Sequence, residues 1–250
     1  MIETLTVDIL GACNSNCEYC YNPDREGKLG VEEILDYVSQ FDPSLVSFGG
    51  GEPFLHDGLV KMAEEIAKTR EMCVSTNGAI MNTDLLSLPE KLRKKVLLQI
   101  SIPSGEKEVY RKITGKDMLE EVVHNLGEFS RRFRTFINCP IYQGNFDSIE
   151  SVIEIGRKYK SPVRLSLVIP SGNGKNVSLV NPKQIERIKY LALQGQLEGT
   201  AYSPLTNIAP LCPLFNRFYG IEGSQLCLSE KEKKVYINQH GERKECEFIK

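Results

Sequence analysis

Tryptophan is absent from the 250 residues, and histidine occurs only three times. His56, His124 and His240 share no spacing by which two imidazoles could reach one ion, so a histidine-based metal site finds no support. A charge excess of either sign is missing too: 31 Lys and Arg stand against 33 Asp and Glu, for a net charge of −2. Without a basic surface there is no electrostatic case for nucleic acid or a membrane surface as a partner. No apolar run approaches the roughly eighteen residues of a spanning helix. The opening MIETLT lacks the basic and apolar regions of an export signal. No G-x-G-x-x-G or phosphate loop appears, which argues against an open-sheet nucleotide binder. A chain without an export signal is expected in the cytoplasm, where thiols stay reduced. Its eight cysteines therefore point to metal ligation rather than disulfides.

Three of those cysteines crowd into one short stretch. Cys13, Cys17 and Cys20 are spaced C-x3-C-x2-C directly after Thr4–Leu10, whose apolar alternation predicts a first strand. A short loop lets thiolates this close converge on one soft metal centre. A four-iron cubane cluster normally takes four Cys, so three leave one iron open to a ligand that is not protein. Structural zinc is the competing reading. It wants a fourth Cys or His at a second knuckle, and the next such residue along the chain is His56.

The rest of the chain alternates strand with helix. Strands are predicted over 44–48, 72–76, 96–102, 133–141 and 163–169. Helices are predicted from Val31 and over 56–69, 82–95 (broken at Pro89), 117–129, 146–159 and 182–193, the last with Pro at its start. Most strands read as continuous apolar runs, the pattern of a parallel sheet covered by helices. That is an α/β fold, either a doubly wound open sheet or an incomplete barrel. After residue 195 the rhythm stops, which divides the chain into 1–194 and 195–250.

The C-x3-C-x2-C run, with Tyr19 before its last Cys, resembles the cluster loop of the radical S-adenosylmethionine (SAM) superfamily. The resemblance implies an incomplete (β/α)6 parallel barrel with its active site at the C-terminal strand ends, as in full barrels. It implies a [4Fe-4S] cluster on Cys13, Cys17 and Cys20, with SAM chelated to the open iron through its amino and carboxylate groups. Gly50-Gly51-Glu52-Pro53 after the second strand resembles the family's GGEP element, which binds the methionyl amino group. Glycines let the backbone approach a ligand, and a carboxylate or backbone carbonyls can accept from an ammonium group. Ser75-Thr76-Asn77-Gly78 resembles the TNG element, and Ser101 sits where relatives place a hydroxyl near the ribose or carboxylate of SAM. The resemblance thus assigns Tyr19, Gly50, Gly51, Glu52, Pro53, Ser75, Asn77 and Ser101 to the cofactor. A Ser on an apolar strand can equally bond to backbone. Residues 100–125 are similar to the same stretch in members with C-terminal cluster domains; there Arg111 is either a carboxylate binder or a solvated helix residue. Ser171-Gly172-Asn173-Gly174 resembles a turn of those relatives, with Asn173 in place of the usual Arg. No residue beyond the cluster ligands is assigned a catalytic role.

The tail carries Cys212, Cys227 and Cys246. Residues 235–238 and 241–246 read as a hairpin that returns Cys246 towards the other two. This resembles an abbreviated SPASM or Twitch extension, which would hold one auxiliary [4Fe-4S] cluster with a fourth position left for another ligand. The full C-x2-C-x5-C-x3-C run of SPASM domains is missing. Cys73 and Cys139, on predicted strands, read as core.

The chemistry implied is reductive cleavage of SAM to a 5′-deoxyadenosyl radical that abstracts hydrogen from a peptide or a small cofactor precursor. The electron would come from a ferredoxin or flavodoxin. Members with such tails include peptide maturases, sulfatase-maturing enzymes and molybdenum-cofactor cyclases. A glycyl-radical-enzyme activase is the alternative, since Cys20-Tyr21-Asn22-Pro23-Asp24 resembles the sequence after the activase Cys loop; activases of this length lack a terminal Cys trio. A non-catalytic zinc or iron–sulfur scaffold, the third reading, would not bind SAM.

Overall fold

Apolar runs punctuated by glycine and polar turns build a nine-stranded sheet in the order β7-β6-β5-β4-β3-β2-β1-β8-β9. The computed structural model describes residues 2–202, 219, 234–244 and 246. The strands are β1 (Thr4–Leu10), β2 (Leu45–Gly50), β3 (Glu71–Thr76), β4 (Val96–Ser101), β5 (Arg134–Ile141), β6 (Val163–Leu167), β7 (Ala201–Tyr202), β8 (Lys234–Ile237) and β9 (Arg243–Lys244). From β7 to β8 every pairing is parallel; only β8 and β9 run antiparallel. The helices are α1 (Val31–Phe41), α2 (Leu59–Ala67), α3 (Thr83–Leu86), α4 (Glu90–Arg93), α5 (Lys107–Thr114), α6 (Leu119–Ser130), α7 (Ile149–Tyr159) and α8 (Pro182–Glu198). This is the α/β partial barrel expected, with strands and helices alternating.

Alternation along each strand separates two faces. Leu5, Val7 and Ile9 of β1, Val46 and Phe48 of β2, and Leu98 and Ile100 of β4 are fully buried in one core shared with the helices. The opposite face, turned into the barrel, is polar: Thr6 and Asp8, Ser47, Gln99 and Ser101, Asn138, Arg164 and Ser166. Cys139 belongs to the helix-side core. Cys73 does not: it pairs with Ser47 and Leu97 on the inner face and is held against the Ser47 hydroxyl. It is buried by the barrel interior, not by the helices, because strand parity places it between Met72 and Val74, which face outward.

Other elements match or depart from expectation for physical reasons. The helix predicted over 82–95 with a break at Pro89 forms as two short ones, with Pro89 beyond the end of the first and capping the second. α5 lies outside the periodic helical stretches because its apolar content is low; only Tyr110 and Ile113 supply a buried apolar stripe. The tail hairpin forms as strands 234–237 and 243–244, and its first strand also joins the barrel by pairing with β1 from Thr4↔Lys234 to Val7↔Ile237. α8 itself runs unbroken through residues 194 and 195 to Glu198, where Gly199 at φ +68° terminates it. No helix among the described residues is long and apolar enough to cross a membrane.

Candidate active site

β1 ends in an irregularity between Asp8 and Leu10, and the chain then leaves the sheet and comes back beside it. Gly11 N donates to Gly27 O (2.9 Å) and Leu29 N to Ile9 O (3.0 Å), closing the excursion at its base. Within it, Asn16 N and Glu18 N donate to Thr114 O and Ile113 O, both at 3.0 Å, tying the loop to the end of α5. Arg25 Nη2 donates to Ser15 O (3.0 Å), and Asn173 N to Cys20 O (2.8 Å). The loop that carries Cys13, Cys17 and Cys20 is thus anchored on three sides at the C-terminal ends of the strands.

All three thiols are half-buried. Burial, with Cys20 and then Cys13 nearby, pushes the Cys17 thiol up to about 12. Burial also raises Cys20, whose Sγ donates to Asn22 O at 3.1 Å. Cys13 Sγ accepts from Ser15 N at 3.4 Å and lies 4.0 Å from Asn77 Nδ2. Metal binding by such thiols proceeds with proton release, because the thiolate is the ligand. Among the described residues no three His, Cys, Asp or Glu side chains are grouped as one metal ion requires. A four-iron cube takes its thiolates on separate irons, so three mutually interacting soft donors on one loop suit a cluster better than a zinc ion.

The glycine turn after β2 locks onto this loop. Gly51 N donates to Leu10 O (2.7 Å) and Glu52 N to Ala12 O (2.8 Å). Gly50 sits at φ +109°, a conformation that favours glycine. Pro53 opens a short 3-10 turn and is buried. Glu52 is fully buried, and its carboxylate is consumed internally. Oε1 accepts from Thr76 Oγ1 (2.7 Å) and Phe54 N (3.0 Å), and Oε2 from Asn77 N (2.7 Å). The side chain therefore braces the β2 turn against the β3 turn. Asn77 in turn donates from Nδ2 to Asn14 Oδ1 at 2.6 Å, inside the Cys loop. Asn125 Nδ2 supports the same turn by donating to Gly78 O (2.9 Å).

Burial outweighs these three donors and lifts the Glu52 carboxyl above its ordinary 4.5. The folded state then holds the proton more tightly than the unfolded chain. Glu52's contribution to stability is complete below the unfolded value and declines as pH rises through the folded one. The stability advantage of wild type over Glu52→Gln in the apoprotein is expected to narrow as pH climbs above about 4.5. Urea unfolding at matched pH values measures it, and an advantage widening with pH would contradict the assignment.

Tyr19 and Ser101 meet across the barrel mouth, Oη to Oγ 3.3 Å. Burial and the neighbouring Cys17 raise the Tyr19 phenol well above its usual range, so it stays neutral. Its ring is tilted against Tyr142, 6.2 Å between centroids. Ser75 lies on the inner face in register with Gln99. Arg111 points away, paired with Glu108 at 2.7 Å and exposed. Cys212 and Cys227 lie outside the described residues; Cys246, just past β9, is half-buried.

Asp8 is the site residue that motif reading overlooks. It is fully buried, and Oδ1 accepts from Tyr21 Oη (2.9 Å) while Oδ2 accepts from Tyr236 Oη (2.7 Å) and Asn22 Nδ2 (3.2 Å). Asn22 Nδ2 also donates to Gln239 Oε1 (2.9 Å). One carboxylate therefore joins the arm following Cys20 to the tail hairpin. The available signal was a single acid at an inward parity position of an otherwise uncharged strand.

The family model described as the radical SAM superfamily matches residues 7–156. The GTP 3′,8-cyclase of Clostridium perfringens (strain SM101 / Type A) is 26% identical over 202 residues, covering 75% of this chain and 62% of that protein. That of Alkaliphilus oremlandii is 27% identical over 209 residues, covering 76% and 65%. The chain thus spans less than two thirds of the length of these relatives. Among solved structures, Streptococcus suis SuiB bound to precursor peptide SuiA superposes with a TM-score of 0.80 at 14% identity, over 98% of this chain and 60% of that one. anSMEcpe with bound AdoMet and a Cp18Cys peptide gives 0.72 at 17%, over 100% and 75%. The fold is shared with both. With the match covering more than half of its length, the chain belongs to the radical SAM superfamily and is an enzyme of that family.

Proposed function

We propose that this enzyme cleaves SAM reductively at a [4Fe-4S] cluster on Cys13, Cys17 and Cys20 and uses the resulting radical to abstract hydrogen from a substrate held in the barrel. The observation that carries the reading is the anchored three-thiol loop locked onto the Gly50–Gly51–Glu52 turn. When bound, the cluster supplies one electron to the sulfonium of SAM. The protein's own groups do the rest. Backbone carbonyls of the glycine turn receive the methionyl ammonium. Tyr19, Ser75, Asn77 and Ser101 line the place where the nucleoside and carboxylate lie, and Pro53 stiffens the turn. The inner wall, closed by helices outside, keeps water and bystander C–H bonds from the radical.

The tail is proposed to hold an auxiliary cluster on Cys212, Cys227 and Cys246, supported by the hairpin that carries the chain back beside β1. The substrate is a peptide or a cofactor precursor: relatives in sequence cyclise GTP, while a neighbour in fold binds a precursor peptide. The activase reading rests on residues 20–24, and those are engaged within the chain: Tyr21 and Asn22 by Asp8, Asp24 by Glu26 N and His240.

Anaerobically reconstituted protein given SAM and dithionite is expected to release 5′-deoxyadenosine and methionine, quantified by chromatography. Iron-replete protein that consumes no SAM would refute the proposal.

A further inference from the structure

On β6 the outward residues Val163, Leu165 and Leu167 join the core, so Arg164 and Ser166 face the barrel interior. Arg164 lies in register with Asn138 on one side and Tyr202 on the other, and Ser166 Oγ meets Asn138 Oδ1 at 2.9 Å. The guanidinium also acts electrostatically on the Cys73 thiol. Cys73 belongs to β3 and faces the same interior, two strands away in the sheet.

Arg164 is half-buried, yet among the described residues its guanidinium makes no ion pair and no hydrogen bond. Arginines on the outer surface behave differently: Arg70, Arg132 and Arg157 each pair with a carboxylate. The carboxylate on the inner face of β1, Asp8, is held by Tyr21, Asn22 and Tyr236. A guanidinium withdrawn from bulk water without a counterion is unfavourable, and its planar fork matches the paired oxygens of a carboxylate or phosphate. Hydroxyl and amide groups of Gln99, Asn138, Ser166 and Tyr202 lie on the same polar face.

We propose that Arg164 is a substrate-binding residue that receives an oxyanion, phosphate or carboxylate, carried by the substrate. This rests on the reading of the barrel as the reaction chamber. The reconstituted holoprotein is titrated calorimetrically with inorganic pyrophosphate and, separately, with succinate, which distinguishes the two oxyanions. Wild type is expected to bind one of them. Arg164→Gln should weaken that binding about tenfold or more, and Arg164→Lys should restore part of it. SAM affinity, read from the spin-resonance signal of the reduced cluster, should stay within about twofold. Equal anion affinity in Arg164→Gln, or no binding of either anion by wild type, would overturn the assignment. So would a parallel loss of SAM affinity, which would give the guanidinium to the methionyl carboxylate instead. If the wild-type cluster signal ignores SAM while anion binding persists, the functional reading fails and the anion site stands.

Discussion

Gly51→Ala is expected to abolish stable iron–sulfur incorporation. A Cβ built on Gly51 would lie 2.1 Å from Ala12 O and 2.3 Å from Gly11 O. Both are backbone atoms, pinned by the bonds from Gly51 N to Leu10 O and from Glu52 N to Ala12 O, so no side-chain rotation relieves the clash. Either the glycine turn or the Cys loop must move, and Cys13 is the next residue in that loop. Overpacking against a fixed backbone costs about 3 kcal/mol or more. Gly30→Ala is the control: a Cβ there meets nothing within 4 Å. Its φ of −74° is accessible to any residue, and at this N-cap of α1 the exchange should change stability by less than about 1 kcal/mol. Iron and sulfide content after reconstitution, with urea unfolding of the apoproteins, separates the two variants. Normal iron loading by Gly51→Ala would show that the turn does not buttress the loop.

Asp8→Ala is expected to cost about 3 kcal/mol or more, since the hydroxyls of Tyr21 and Tyr236 and the amide of Asn22 lose an acceptor in a buried setting and each orphan costs roughly 1–3 kcal/mol. The loss should not be confined to stability. Tyr21 and Asn22 follow Cys20 directly, and Tyr236 belongs to the tail, so the variant disconnects them. Faster proteolytic cleavage of the tail, together with weaker cluster retention at temperatures where the barrel remains folded, would report this. Asp8→Asn keeps the shape but turns a donor towards one or two of the three groups, and should fall between. A loss in Asp8→Ala no greater than that of an average surface substitution would remove the carboxylate from this role.

The frame of the fold was legible because its signals are periodic and local. Apolar runs on β1 to β6 and stripes on α1, α2, α6 and α7 state which face is buried whatever the partner. Motif spacing likewise located the Cys loop and the two turns that meet it. What could not be read was how side chains are used. Glu52 stands in a motif that suggests a ligand contact, but only the three-dimensional arrangement shows Thr76, Asn77 and Phe54 consuming its oxygens. Asp8 and Arg164 carry no motif at all; their meaning comes from which strands are neighbours and which face is inward. The partner of β8 was equally hidden, since nothing in Lys234–Ile237 declares that it will lie against the first strand.

That pairing has a consequence for biosynthesis. Asp8 and Tyr236 are 228 residues apart in the chain, and non-local pairings of this kind form late because a long loop must close first. On a ribosome the first strand would wait with one edge bare until Lys234–Ile237 had emerged. The arm after Cys20 would lack its final anchor throughout that interval. Iron loading should therefore follow the emergence of β8 rather than precede it.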